Sequence, residues 1–360
     1  MIILRVIVFS LGVALVVTTL LSVTRVLLVP RSTPDPLVRI VFMAMRSLFR
    51  PWTNSSRPYA ERDRVMAFYA PLSLLALLPA WLALILVAYA GMFWALDIPT
   101  WYEAVRASGS SLFTLGFVQA DDLPQTILMI SEAAIGLILV ALLIAYLPTM
   151  YSAFSKREAA VTMLEVRAGS PPSAVEMIER FHRNHGLDRL NDAWRTWETW
   201  FAEVEESHTS LPALVFFRSP HPNRSWITAA GAVLDAASLT ASTLDVPRDA
   251  SANLCIRAGF IALRSIASYF EFPFNPDPHY PDDPINVTRD EFDAVYARLA
   301  SEGIPLKSDR EQAWRDYAGW RVNYDSVLLF LADLTMAPQA PWSLDRSHGQ
   351  ASKRFGRLEH

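Results

Sequence analysis

Glu132 is the sole acidic or basic side chain inside the apolar run from Ile127 to Pro148. A carboxyl there is a functional candidate, because a bilayer interior holds charge where it serves an ion path, a proton relay or a buried partner. A little earlier, Asp121 and Asp122 form an acidic pair that would either draw cations or make a solvated turn. Ahead of them, Thr114-Leu115-Gly116-Phe117-Val118 offers backbone carbonyls and one hydroxyl in an apolar setting.

The remaining candidates have simpler readings. His182 and His185 are three residues apart but lack a third ligand, which leaves them as surface residues. Asp277, His279, Asp282 and Asp283 sit among Pro276, Pro278, Pro281 and Pro284, the pattern of a rigid loop. Trp194, Trp197 and Trp200 suit a core or a subunit contact. The single cysteine, Cys255, lies in an apolar periodic stretch as a buried thiol; it excludes an intrachain disulfide and a cysteine zinc cluster. No nucleophile elbow, metal motif or paired carboxylate set is present, so the chain is not expected to be an enzyme, and no metal or cofactor is expected. A net charge of −4 gives no argument for nucleic acid.

These residues must be positioned by membrane helices. The chain has 360 residues, 52% hydrophobic and 19% charged, and the apolar residues concentrate before Pro148. Crossing a bilayer takes about 20 apolar residues. Met1–Val29, Met66–Leu96 and Ile127–Pro148 meet that requirement. The first is longer than a signal-peptide core and is expected to be retained. Basic residues flank the spans unevenly. Residues 31–65 hold Arg31, Arg39, Arg46, Arg50, Arg57, Arg62 and Arg64, and Lys156, Arg157 and Arg167 follow the third span. Between the second and third spans the only basic residue is Arg106. The loop and the C-terminal region are therefore expected in the cytosol, with the N-terminus outside. Leu37, Val38, Val41, Phe42, Met45, Leu48 and Phe49 recur at helical spacing among arginines, as in a helix lying on an anionic inner leaflet.

Trp101 to Phe113 contains no proline and predicts a short helix between the second and third spans. Apolar backbone that enters a membrane without crossing it must be buried in protein or line a water-filled cavity. With the strand-like segment after it, Ser110-Ser111-Leu112-Phe113-Thr114-Leu115-Gly116-Phe117 resembles the pore helix and signature sequence of two-helix-per-pore potassium channels, whose pattern is Thr-Val-Gly-Tyr-Gly-Asp. Thr114, Gly116 and Phe117 align with the Thr, first Gly and Tyr, and Leu115 with the Val. The resemblance covers about 85 residues and departs at Val118 and Gln119, which replace the second glycine and the acid. It implies a homotetramer with Thr114, Leu115, Gly116, Phe117 and Val118 as selectivity filter, Asp121 and Asp122 at the outer mouth, and potassium as the leading permeant ion. The third span would be the inner helix. Gly136 would hinge it or allow close packing, and Leu142, Ile144 and Leu147 would form a hydrophobic constriction. The position of Glu132 favours a hydrogen bond to Ser110 or Ser111 over direct ion contact.

Behind the spans an α-helical cytosolic domain is expected. Helix should continue from Tyr151 to Ala168, Ser173 should cap the next helix with Glu176, and apolar stripes predict helices over 189–206, 251–270 and 309–335. No glycine-rich phosphate loop appears. The expected organisation is a transmembrane helix over 1–30, a cytosolic loop over 31–65, a pore domain over 66–150, a helical linker over 151–172, a helical domain over 173–340 and a tail over 341–360. The Leu358-Glu359-His360 end of that tail resembles an affinity-tag remnant. The expected protein is an all-α pore-loop cation channel of a bacterial inner membrane, gated through its cytosolic domain by a ligand or partner that the sequence does not name. The alternative is a non-conducting scaffold or sensor that keeps the pore fold.

Overall fold

Uninterrupted apolar runs and capped polar segments become helices throughout the computed structural model, which describes residues 2–29, 35–54, 56–247 and 249–342. Among these residues the only β pairing is an isolated bridge between Leu244 and Leu306. The expectations placed on Arg31 and on the tail from residue 343 onward lie outside the described residues. Among the described residues, three helical stretches are long and apolar enough to cross a membrane.

The chain forms two compact units. The first holds α1 (Ile2–Leu27), α2 (Pro36–Phe49), α4 (Tyr69–Ala95), α5 (Trp101–Leu112) and the first part of α6 (Leu123–Ala168). The second takes α3 (Tyr59–Met66) and everything from Ala153 onward. Pro148 lies inside α6 without ending it, so the third apolar run and the segment after Tyr151 are one helix of 46 residues.

In the first unit α4 packs against α1, α2 and α5. Trp81, fully buried on α4, donates its indole N–H to the Ser22 hydroxyl at 3.2 Å. Ser22 donates in turn to Asp35 Oδ1 at 3.0 Å. That same oxygen accepts from the amides of Leu37 and Val38, which caps α2. One chain of hydrogen bonds therefore fixes where α2 starts relative to α1 and α4.

The second unit continues with α7 (Ala174–Arg183), α8 (Leu190–Ser210), α9 (Trp226–Thr243), α10 (Ser251–Tyr269), α11 (Arg289–Ser301), α12 (Arg310–Arg321) and α13 (Asp325–Leu334). Ser173 caps α7 by accepting from the Glu176 amide, while the Glu176 carboxylate pairs with Arg180. Nearly all of α9 is buried, with α7, α10, α12 and α13 packed around it. Trp194, Trp197 and Trp200 lie in this core, the last two in edge contact at 4.9 Å. The single helix expected over 309–335 is instead two. Arg321 Nε bonds Asp325, its Nη1 grips both oxygens of Asp235, and the Tyr324 hydroxyl donates to Asp235 at 2.8 Å. Reaching Asp235 from both sides turns the chain between α12 and α13.

Candidate functional site

The candidate site is the turn from Phe113 to Asp122 and the helices around it, all within the first unit. Thr100 caps α5 by accepting from the Glu103 amide. At its other end α5 unwinds through Phe113 into two left-handed residues, Thr114 (φ +53) and Gly116 (φ +73). Glycine takes this conformation freely, whereas a β-branched threonine is strained in it. Such strain persists where surrounding bonds hold it. Here the Leu115 amide donates to the Ser110 carbonyl at 2.8 Å, and the amides of Phe117 and Val118 donate to the Ser110 hydroxyl oxygen at 3.1 and 3.2 Å. One serine on α5 thus ties down three amides of the Thr-Leu-Gly-Phe-Val run. Val118 is not left-handed, so the chain does not follow the path that a glycine would open at that position.

Leu115 and Phe117 are 62% and 53% exposed. The Arg106 guanidinium stacks over the rings of Phe117 and Tyr102, at 5.6 Å from each centroid. Asp121 and Asp122 are both exposed. Asp122 accepts from the Gln125 amide at 2.8 Å at the start of α6, so it caps that helix. Gln125, buried, accepts from the Asp121 amide and donates to the Leu96 carbonyl, tying the turn to the end of α4.

Glu132 is completely buried. Its Oε1 accepts from Ser108 at 2.5 Å, not from Ser110 or Ser111, and its Oε2 has no partner among the described residues. Ser110 is instead spent on the turn. The neighbouring Ser131 hydroxyl meets Tyr89 of α4 at 2.9 Å. At Gly136 a Cβ would lie 2.4 Å from the Leu112 carbonyl oxygen, so the glycine sits where α6 meets the end of α5. Ser108, Arg106 and Gln125, which the structure adds to the site, carry no sequence signal beyond being polar residues next to apolar ones.

The other candidates stay apart from this turn. His182 and His185 fall at the exposed end of α7, and Asp283 holds the Pro-rich loop through the His279 amide and the Asn275 side chain. No group of three or more potential metal ligands occurs among the described residues. Burial pushes the Cys255 thiol far above its ordinary range, which keeps it inert. Compared with family models, curated proteins and solved structures, the chain matches none.

Proposed function

We propose that this chain is one subunit of a homotetrameric, cation-conducting channel that resembles potassium channels, set in a bacterial inner membrane with its N-terminus outside and its helical domain in the cytosol. The observation that carries the reading is the fastening of Thr114–Val118 to the end of a short helix through Ser110. A filter needs its carbonyls held in place by something other than the ion, and this arrangement does that. Four copies would enclose an axis that one turn cannot. They would also cover part of the apolar surface that Leu115, Phe117, Leu137 and Ile144 leave exposed in one protomer. In this reading α5 is the pore helix, α6 the inner helix, and Gly136 a packing contact rather than a hinge.

Val118 supports a second reading, the non-conducting scaffold. Its amide is taken up by Ser110 and its backbone lacks the family's glycine conformation. Purified protein in liposomes, given a potassium gradient and then a sodium gradient, separates the two. Flux that favours potassium supports a potassium-type pore, and equal flux supports an unselective one. No flux of either ion would sink the channel.

The expected lipid partner follows from α2. Arg39 and Arg46 share one side of it with Arg50, its C-cap, and exposed Ile40 and Met43 flank them, a face suited to anionic headgroups. Replacing the three arginines with glutamine should abolish the preference of the purified protein for phosphatidylglycerol over phosphatidylcholine. An unchanged preference would remove α2 from that role.

A further inference from the structure

Five residues, Leu214 to Arg218, hold two helices of the second unit at once. On one side, Arg157 of α6 is buried and donates Nη1 to the Leu214 carbonyl at 2.8 Å and Nη2 to the Phe217 carbonyl at 2.7 Å. Its Nε and Nη2 also bond Glu158 Oε1 at 2.9 and 2.7 Å, and its Nη1 lies 3.1 Å from His208 Nε2. The Phe154 and Phe217 rings pack alongside at 5.8 Å. On the other side, Arg218 pairs through Nε with the Asp63 carboxylate of α3 and donates Nη2 to the Tyr59 hydroxyl at 2.5 Å. Its remaining donors reach the Thr335 and Met336 carbonyls at 2.6 and 2.8 Å. Tyr59 donates to the Met336 carbonyl at 3.1 Å, which closes the ring of bonds.

Each guanidinium is mostly shielded from water and has one carboxylate partner. Sliding α3 would strip the shielded Arg218 of Asp63, and sliding α6, which carries Glu158 along with Arg157, would strip Arg157 of the Leu214 and Phe217 carbonyls; both steps are costly, so the arrangement resists gradual movement. The two helices held are also special in sequence. α3 is followed after two residues by α4, and α6 is one uninterrupted helix from Leu123 onward. Whatever sets the spacing of α3 and the later turns of α6 therefore acts on the chain entering one apolar helix and leaving another.

We propose that Leu214–Arg218 is a coupling clasp through which the soluble unit fixes the spacing of α3 and α6, and through it the state of the pore. The consequence for ion flow rests on the channel reading above; the spacing does not. The test uses the full chain, spin-labelled at Arg64→Cys and Lys156→Cys. Both positions are exposed, and Cys255 is buried away from label. In the otherwise native protein the label distance should be narrowly distributed, and Arg218→Gln should broaden it. The α3 amides should then exchange roughly tenfold faster, as expected for loss of a charged hydrogen bond. Unchanged exchange in α9 shows that the fold survives. If Arg218→Gln unfolds α9, Tyr59→Phe takes its place, because it removes one hydroxyl and should broaden the distribution less but in the same sense. An unbroadened distribution with α9 intact overturns the clasp. So does a broadened one that leaves the flux of a conducting protein unaltered. If the native chain passes no ion, the channel reading fails and the distances alone decide the clasp.

Discussion

Ser108 on α5 and Glu132 on α6 meet at 2.5 Å, the serine hydroxyl donating to a carboxyl with no exposed surface. The same hydroxyl lies 3.0 Å from the Leu86 carbonyl of α4, so one proton is shared among three helices. Interhelical hydrogen bonds in membranes are worth about 0.6 kcal/mol on average and up to about 1.7 kcal/mol. Ser108→Ala should cost an amount in that range, read as a lower unfolding midpoint in detergent. Glu132→Ala should cost more, about 2–4 kcal/mol, because it also leaves a cavity. Native stability in both variants would show that the pair holds nothing together.

Gly136 and Gly109 make a matched comparison. A Cβ at Gly136 would press to 2.4 Å from the Leu112 carbonyl oxygen, whereas one at Gly109 would meet nothing within 4 Å. Gly136→Ala should therefore destabilise the protein by about 1–3 kcal/mol as α5 and α6 are forced apart. Gly109→Ala should be neutral or should stabilise by about 0.5–1 kcal/mol, since alanine loses less freedom in a helix. A hinge role for Gly136 predicts instead that stability holds while flux changes.

Much of this architecture can be read from the residues, and the rest has identifiable reasons for being hidden. The apolar runs of α1, α4 and α6 follow from length and hydropathy, and the start of α7 from Ser173 three residues before Glu176. The partner of Glu132 does not follow. Ser108, Ser110 and Ser111 all lie on α5, and the rotation of that helix, which spacing does not encode, decides which one faces α6. The turn between Arg321 and Asp325 was hidden for a similar reason. Its local sequence favours one helix, and it breaks because Arg321 and Tyr324 both reach Asp235, more than eighty residues away. Arg157 and His208 likewise meet across 51 residues, where no periodicity links them.

His208 should make the second unit sensitive to acid. Burial first, and then the neighbouring Arg157 guanidinium, hold its imidazole well below the ordinary 6.5. Its Nδ1 faces the Val204 carbonyl at 2.9 Å and the Ser207 hydroxyl at 3.1 Å, its ring packs on Trp226, and Glu158 lies beyond Arg157. Below about pH 6.5 the unfolded chain binds a proton at this position and the folded chain does not. Stability is then lost as pH falls, by up to about 1.4 kcal/mol per unit. His208→Gln keeps an acceptor for Arg157 and cannot titrate. Denaturation midpoints at about pH 7 and about pH 5 should therefore fall less in the variant than in the native protein. Equal losses would mean that other groups carry the acid sensitivity.

Ser110 offers the sharpest test of the candidate filter. Its hydroxyl oxygen accepts from the Phe117 and Val118 amides at 3.1 and 3.2 Å, and among the described residues no other bond on those amides replaces it. Ser110→Ala leaves both donors unpaired in a partly buried turn, a cost of about 1–3 kcal/mol each unless the turn moves out toward water. Moving out is the cheaper response, and it loosens the carbonyls of Leu115 to Phe117. Carbonyls free to shift can close around a smaller ion as readily as a larger one, so discrimination between potassium and sodium should fall toward equality. Ser110→Thr keeps the hydroxyl and should keep the native ratio. The ratio of potassium to sodium flux in liposomes is the measurement. If Ser110→Ala discriminates as the native protein does, the hold that Ser110 has on the turn is not what orders the ion path.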